Sequence, residues 1–135
     1  MNNLKSRRAF IVGLSSTKIT NKERHFLRKY KPWGVILFAR NIKSVDQTKK
    51  LTNDIKKIFK DSKYPILIDE EGGMVTRIRS IIDNSHFPAK YFGDNYKKDK
   101  TKSLLYLRTY IKQISHLLRY MGISINTVPV LDIPR

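Results

Sequence analysis

Short, uninterrupted apolar runs alternate with amphipathic stretches along this chain, and that alternation is the strongest constraint on its fold. Three runs, at residues 9–14, 34–39 and 65–69, have the length of a strand and almost no polar positions. A strand that is apolar on both faces is typical of a parallel sheet covered by helices. The sequence therefore predicts at least three strands of this kind, joined by helical crossovers.

Helix signals fill the gaps between these runs. Thr20 precedes Glu23 by three residues, which is the spacing of a capping box, and predicts a helix over residues 21–30 that ends before Pro32. Ser44 and Gln47 have the same spacing and predict a second helix from there to residue 60.

The last third of the chain predicts one long helix and a fourth strand. Apolar residues at positions 104, 107, 111, 114, 118 and 121 recur at helical spacing, so a helix is expected over 101–121 with this stripe against the core. Gly122 suits the C-terminal cap, and residues 123–133 read as a strand. Residues 79–99 are polar and irregular, and are expected to form a long connection.

The resulting order, β-α-β-α-β-loop-α-β, predicts an α/β fold with about four parallel strands and covering helices. Right-handed crossovers leave a doubly wound sheet or part of a (β/α)8 barrel. Ligands in both folds meet the C-terminal ends of the strands. The polar residues expected there are Arg40 and Asn41, then the segment 69–73, and finally Asp132.

Charge raises a competing hypothesis, because 28 Lys and Arg against 11 Asp and Glu give a formal net charge of +17. Such a chain could be a basic nucleic-acid-binding protein. The cations are spread along the chain, however, and no nucleic-acid motif with interleaved aromatics is present, so a nucleic-acid partner is not favoured. Zero cysteines exclude disulfides, Cys-ligated metals and thiol chemistry.

No targeting or membrane signal is expected from the sequence. The apolar run at 9–14 is shorter than the roughly 7–15 residues of a signal-peptide core. Nothing approaches the roughly 18 apolar residues of a membrane span. These observations predict a cytoplasmic protein without a membrane partner.

Three segments together resemble glycoside hydrolase family 3, specifically the N-terminal part of bacterial cytoplasmic β-N-acetylhexosaminidases. They are residues 31–41, with the sequence KPWGVILFARN, residues 66–73, with ILIDEEGG followed by Val75 and Arg77, and residues 126–132, with NTVPVLD. Their order and spacing both fit the family. The resemblance runs from about residue 10 to the last residue.

The resemblance implies the N-terminal portion of a (β/α)8 barrel. It also implies retaining hydrolysis of terminal β-linked N-acetylglucosamine through a covalent glycosyl-enzyme, with no metal or cofactor, in peptidoglycan recycling. Carried over residue by residue, Asp69 and Arg77 match sugar-binding residues, while Glu71, Gly72, Gly73 and Asp132 match residues that shape the pocket.

The chain departs from the family pattern in two ways. Position 74 is Met where many members have Arg. The family's nucleophilic aspartate, its His acid/base and its Lys-His motif all lie further along than this sequence extends. The expectation is therefore a glycosidase by family, with an amino-sugar or muropeptide substrate, whose polypeptide as given lacks the catalytic residues and is inactive alone. The alternative is an inactive fragment or a half-barrel that needs a second chain, and a complementing C-terminal half is then the expected partner.

The site residues also allow roles other than ligand binding. Glu70 and Glu71 are adjacent, so they leave a strand towards opposite faces and are poorly placed as an acid–base pair. Asp69 could instead brace the following loop, and Arg77 could form an ion pair with Glu70 or Glu71. The three histidines, at positions 25, 86 and 116, lack metal-ligand spacing.

Overall fold

A computed structural model describes residues 6–129, and their strands form one parallel sheet. The elements are β1 (Arg8–Gly13), α1 (Asn21–Tyr30), β2 (Pro32–Leu37), α2 (Val45–Phe59), β3 (Ile66–Ile68), α3 (Ala89–Lys98), α4 (Lys100–Tyr120) and β4 (Ile125–Asn126). The strand order is β1-β2-β3-β4, with all pairs parallel. The predicted α/β class and its four parallel strands are confirmed.

Helix starts follow the capping signals. Thr20 caps α1 in a closed box, accepting from the Glu23 N–H, while the Glu23 carboxylate accepts from the Thr20 N–H. Ser44 caps α2 by accepting from the Gln47 N–H at 3.3 Å. The Gln47 side chain, however, accepts from the Lys43 N–H, so this second box is not closed.

The interior lies between the sheet and helices α1, α2 and α4. β2 and β3 are largely buried, but β1 is an edge strand and Ile11 is 44% exposed, which corrects the prediction that residues 9–14 are buried along their length. Tyr64 donates to the Pro32 carbonyl at 2.8 Å and stacks on Phe59. The buried apolar cluster comprises Leu14, Leu27, Val35, Leu37, Ile42, Leu51, Ile55, Tyr64, Ile66, Ile68, Ile78, Ile114, Leu118, Met121 and Ile123.

Three sequence predictions are corrected by the structure. Residues 79–99 are not all connection, because α3 occupies Ala89–Lys98. β2 begins at Pro32, two residues early, because Lys31 ends α1 in a left-handed conformation. β4 covers Ile125–Asn126, so residues 123–124 and 127–129 of the strand expected over 123–133 are not strand, and its last part, 130–133, lies outside the described residues.

The long helix is confirmed over Lys100–Tyr120, but its apolar stripe is only partly inside. Ile114, Leu118 and Met121 are buried, whereas Leu104 and Ile111 are 41% and 51% exposed. The N-terminal half of α4 packs against α3 and leaves these two side chains outside the core. Gly122 follows the helix with φ of 84°, the left-handed conformation predicted for its cap.

Candidate functional site

The C-terminal ends of β2, β3 and β4 lie at the same edge of the parallel sheet, and polar side chains follow them there. Phe38 and Arg40 follow β2, Asp69 follows β3, and Thr127 follows β4. Arg77 arrives from the loop after β3. The structure thus brings together the two predicted sugar-binding residues at the edge where parallel α/β folds bind ligands.

Asp69 is held by two side chains from different segments. Its Oδ1 accepts a hydrogen bond from the Thr127 hydroxyl at 3.0 Å, and its Oδ2 accepts from Arg77 Nη2 at 3.2 Å. The Asp69 side chain is 29% exposed. Each carboxylate oxygen has a second lone pair, so Asp69 can still accept from ligand hydroxyls in a fixed orientation.

Arg77 retains an unsatisfied donor. Its Nε is buried and has no hydrogen-bond partner within residues 6–129. Its guanidinium carbon lies 5.6 Å from the centre of the Phe38 ring. The ion pair expected with Glu70 or Glu71 as an alternative to ligand binding is instead observed with Asp69.

Glu70 braces the loop, a role that the sequence suggested only for Asp69. Its side chain points inward, and the residue is 3% exposed. Its Oε2 accepts from the backbone N–H groups of Arg77 at 2.6 Å and Ile78 at 3.1 Å, and Oε1 accepts from Asn84 at 3.4 Å. Adjacent Asp69 and Glu70 therefore serve different faces, as expected for residues leaving a strand.

Asn126 ties the start of this loop to β4. Its Oδ1 accepts from the Glu70 N–H, and its Nδ2 donates to the Glu70 carbonyl, both at 3.0 Å. One side-chain amide thus satisfies both backbone groups of Glu70, extending the β3–β4 pairing beyond the two short strands. Asn126 stands in the third segment of family resemblance, but nothing in the sequence indicated this contact.

The Gly-Gly turn is explained by packing within the chain. Gly72 and Gly73 have φ of 77° and 66°, which disfavours any other residue. An ideal Cβ at Gly72 would lie 2.4 Å from the Phe87 carbonyl oxygen, and one at Gly73 would lie 2.8 Å from the Pro88 Cβ. Met74, at the tip of this turn, is fully exposed. The glycines therefore allow the loop to lie directly against the segment that leads into α3.

Two residues after β2 tie its end to β1. Asn41 is fully buried, and its Nδ2 donates to the carbonyls of Leu14 at 3.0 Å and Ser16 at 2.8 Å. Its Oδ1 accepts from the Phe38 N–H at 2.9 Å. Arg40 Nε also donates to the Leu14 carbonyl, at 2.8 Å. These contacts fix the position of Phe38 at the site.

A groove of about 980 Å³ adjoins the loop on the α4 side. Its walls are mainly apolar and include Leu107 and Ile111, while Glu70 and Asn126 reach it from the sheet edge. The Tyr110 hydroxyl in this groove is buried and has no partner among the described residues. Burial raises the pKa of Tyr110, and the nearby charge of Glu70 raises it further.

Of the residues predicted to shape the pocket, Glu71 lies beside the groove and Asp132 is not among the described residues. The backbone N–H of Glu71 donates to the Val75 carbonyl at 3.0 Å. No three His, Asp or Glu side chains within residues 6–129 converge as metal ligands. In the same part of the chain, no helix is long and apolar enough to cross a membrane.

Residues 3–135 match the family described as glycosyl hydrolase family 3 N terminal domain. The chain belongs to glycoside hydrolase family 3. Among curated relatives, the β-hexosaminidase of Xanthomonas axonopodis pv. citri (strain 306) is 30% identical over 127 residues, which is 93% of this chain and 37% of that protein. The β-hexosaminidase of Thioalkalivibrio sulfidiphilus is 29% identical over 123 residues, with 91% and 35% covered.

Solved structures of the family confirm the fold. Native NagZ from Neisseria gonorrhoeae superimposes with a TM-score of 0.82 at 27% identity, over 95% of this chain and 37% of that one. A family 3 β-N-acetylglucosaminidase from Paenibacillus sp. gives 0.75 at 28% identity, over 96% and 24%. The four strands are the N-terminal portion of a (β/α)8 barrel, as the resemblance implied. The chain thus spans little more than a third of the curated relatives that it matches.

Proposed function

We propose that this chain supplies the amino-sugar-binding part of a retaining β-N-acetylhexosaminidase. The observation that carries the proposal is the Asp69–Arg77 pair, fixed at 3.2 Å at the C-terminal edge of the sheet. An amino sugar carries hydroxyl donors and carbonyl and hydroxyl acceptors. The Asp69 carboxylate can accept from the hydroxyls, and the Arg77 guanidinium beside it can donate to the oxygens. The similarity to proteins named β-hexosaminidase supports the same assignment.

The residues of this chain bind and orient the sugar in the proposed mechanism. Thr127 and Arg77 hold the Asp69 carboxylate, so its side chain loses little rotamer freedom when ligand hydroxyls arrive. The Arg77 side chain is 26% exposed, and the accessible part of its guanidinium provides N–H donors for a sugar oxygen. Glu70 keeps the Arg77 backbone in place. The family's nucleophile and acid/base match no residue of this sequence, so bond cleavage is assigned to a complementing C-terminal half.

The finer parts of the proposal concern substrate and setting. We propose terminal β-linked N-acetylglucosamine on muropeptide sugars as the substrate, in cytoplasmic peptidoglycan recycling. Glu71, Gly72, Gly73 and Asp132 are proposed to shape the pocket around this sugar. The exposed groove beside α4 supports the proposal of a complementing half, since its apolar walls offer a surface for further β/α units.

Binding and turnover test this proposal separately. Titration of the purified chain with N-acetylglucosamine, followed by saturation-transfer NMR, is expected to show binding that Asp69→Asn weakens at least about tenfold, the equivalent of losing about 1.4 kcal/mol. Asp54→Asn is the matched control, because Asp54 is a surface carboxylate on α2 paired only with Lys50 in the described structure. A chromogenic β-N-acetylglucosaminide should not be hydrolysed by the chain alone.

The proposal has clear failure points. Equal sugar binding by the Asp69→Asn variant and the wild type would remove Asp69 from the site. Hydrolysis by the isolated chain that is lost in Asp69→Asn would refute the assignment of catalysis to a second part.

A further inference from the structure

The longest helix carries charge of one sign only. α4 contains five cationic side chains and no carboxylate, whereas α1, α2 and α3 each contain at least one Asp or Glu. Lys102 pairs with Asp99, at the helix cap, over 3.7 Å. The other four cations of α4 form no ion pair within residues 6–129. The positive charge of α4 is therefore largely uncompensated in this part of the chain.

Three of these cations share an exposed surface with two apolar side chains. Residues three, four and seven apart lie on one face of a helix, and Lys102, Leu105, Arg108 and Lys112 have this spacing. The three cations are exposed, Leu105 is 60% exposed, and Tyr106 beside it is 56% exposed. These five residues form the outer surface of α4.

The outer surface is separate from the groove proposed for a complementing half. On α4 the groove is lined by residues that include Leu104, Leu107 and Ile111, and by none of the five outer-surface residues. None of the five belongs to the buried apolar cluster of residues 6–129 or packs against it. A partner in the groove would thus leave the outer surface open.

The outer surface lies at the same end of the sheet as Asp69. α4 leads into β4, and a helix that connects two parallel strands runs antiparallel to them, so its first turns lie near the C-terminal ends of the strands. The position of Tyr110 agrees with this direction. An ideal Cβ on Gly72, in the loop after β3, would lie 3.1 Å from the Tyr110 hydroxyl oxygen.

Exposed apolar side chains among cations fit the surface of an anionic bilayer. Lys and Arg attract acidic headgroups, while Leu and Tyr side chains insert at the boundary between headgroups and acyl chains. A nucleic acid would neutralise the cations through its phosphates, but its backbone offers Leu105 no apolar medium. The sequence predicted no membrane partner because it contains no apolar span, and a peripheral contact needs none.

We propose that the outer surface of α4 binds the surface of a bilayer that contains anionic lipid. Lys102, Arg108 and Lys112 supply the attraction to the headgroups, and Leu105 and Tyr106 supply the insertion. The contact goes beyond the proposed function and does not depend on it, because none of the five residues touches the Asp69–Arg77 pair.

Vesicle sedimentation with the whole chain provides the test. Vesicles of phosphatidylcholine with about one-quarter phosphatidylglycerol should bind the chain, whereas vesicles of phosphatidylcholine alone should not. High salt should weaken the binding, because salt screens exposed charges. Leu105→Gln should lower the partition coefficient about tenfold, the order expected when a leucine side chain is lost from an apolar medium. Lys102→Gln should lower it about fivefold.

Each variant has a matched control elsewhere in the chain. Ile11→Gln removes an apolar side chain that is 44% exposed on β1, at the other edge of the sheet from β4. Lys50→Gln removes an exposed lysine on α2 that pairs with Asp54, much as Lys102 pairs with Asp99. Both control variants should bind anionic vesicles nearly as the wild type does.

Four results would overturn the proposal. The first is a wild-type chain that does not bind the anionic vesicles. The second is an equal loss in Lys102→Gln and Lys50→Gln, which would assign the binding to the overall charge. The third is unchanged vesicle binding in Leu105→Gln, which would mean that no side chain inserts. The fourth is vesicle binding that survives Lys102→Gln while binding to a duplex DNA is lost, which would assign the surface to nucleic acid.

A second variant keeps the test decisive if the first does not fold. Where circular dichroism shows that Leu105→Gln is unfolded, Tyr106→Gln replaces it. A weaker partition of Tyr106→Gln supports insertion, and an unchanged partition refutes it. Sugar binding plays no part in these measurements, so a negative result here leaves the proposed function as it stands.

Discussion

The sheet with its covering helix α2 and the α3–α4 hairpin contain similar apolar residues in very different surroundings. Ile55 on α2 and Ile66 on β3 are fully buried, whereas Leu105 and Ile111 on α4 are 60% and 51% exposed. The apolar residues of α2 and of α4 both recur at helical spacing in the sequence. The comparison shows that periodicity identifies which face of an element is apolar, while burial depends on whether a neighbouring element covers that face.

The boundary between these two environments lies within α4. Ile114 and Leu118, in the C-terminal half of α4, belong to the core, whereas the N-terminal half of the helix extends beyond it and packs against α3. One continuous helix thus joins the core to the exposed groove. Stability should therefore be concentrated in the sheet, α1, α2 and the C-terminal half of α4.

The largest expected effect is on the free energy of unfolding, when the same Ile→Ala substitution is made in each of the two environments. Ile55→Ala removes buried methyl groups and leaves a cavity, so it should lower the free energy of unfolding by about 2–5 kcal/mol. Ile111→Ala, at a half-exposed position, should change it by less than about 0.5 kcal/mol. Urea unfolding followed by circular dichroism measures both, and equal losses would show that the groove is covered in solution.

The sequence predicts those elements of the fold that carry a local signal, such as a capping box or an apolar run. The Thr20–Glu23 box and the apolar runs identify α1 and the first three strands, because these features act within a few residues. α3 was missed for the opposite reason. Its cap, Pro88, makes no side-chain hydrogen bond, and Gly93 interrupts its aromatic positions, so the segment has the composition of a loop.

The residues of the site likewise fall into those that a local motif identifies and those whose contacts depend on strand pairing. Asp69 was identified because it follows an apolar strand within a family motif, and Arg77 through the same motif. The contacts of Asn126 with Glu70 and of Thr127 with Asp69 connect positions 56 and 58 residues apart. They depend on the register of β3 against β4, where Ile68 pairs with Asn126, and no local pattern specifies that register.

A smaller effect compares the two helix caps of the well-packed region. Thr20→Ala breaks a closed capping box and should cost about 1 kcal/mol, within a range of about 0.5–2. Ser44→Ala loses only the contact to the Gln47 N–H, because the Gln47 side chain is held by Lys43. The Ser44→Ala loss should therefore be smaller. Thermal unfolding of both variants measures the difference, and the reverse order would contradict this account of the caps.

The stabilisation from the Thr20–Glu23 capping box of α1 is expected to depend on pH. Burial acts to raise the pKa of Glu23, but hydrogen bonds from Ser15 and Thr20 outweigh it, and the net shift is downward. A carboxyl with a lowered pKa in the folded state stabilises the fold above its unfolded pKa, and that stabilisation is lost as pH falls through the folded value. Acid titration of stability should therefore show a smaller loss in Thr20→Ala than in the wild type. An identical acid profile would mean that Glu23 is not coupled to the cap.

The smallest effect is a gain of stability in the exposed hairpin. Gly93 lies inside α3, and an ideal Cβ there meets no atom within 4 Å, so Gly93→Ala should stabilise the chain by up to about 1 kcal/mol through helix propensity alone. Gly122→Ala is the contrast, because its φ is 84° and a Cβ would lie 2.5 Å from Thr52 Oγ1 in the packed region. Chemical denaturation should show opposite signs for the two variants. If Gly93→Ala is neutral while Gly122→Ala destabilises, α3 unfolds independently of the sheet, because a stabilised helix contributes to global unfolding only when both belong to one cooperative unit.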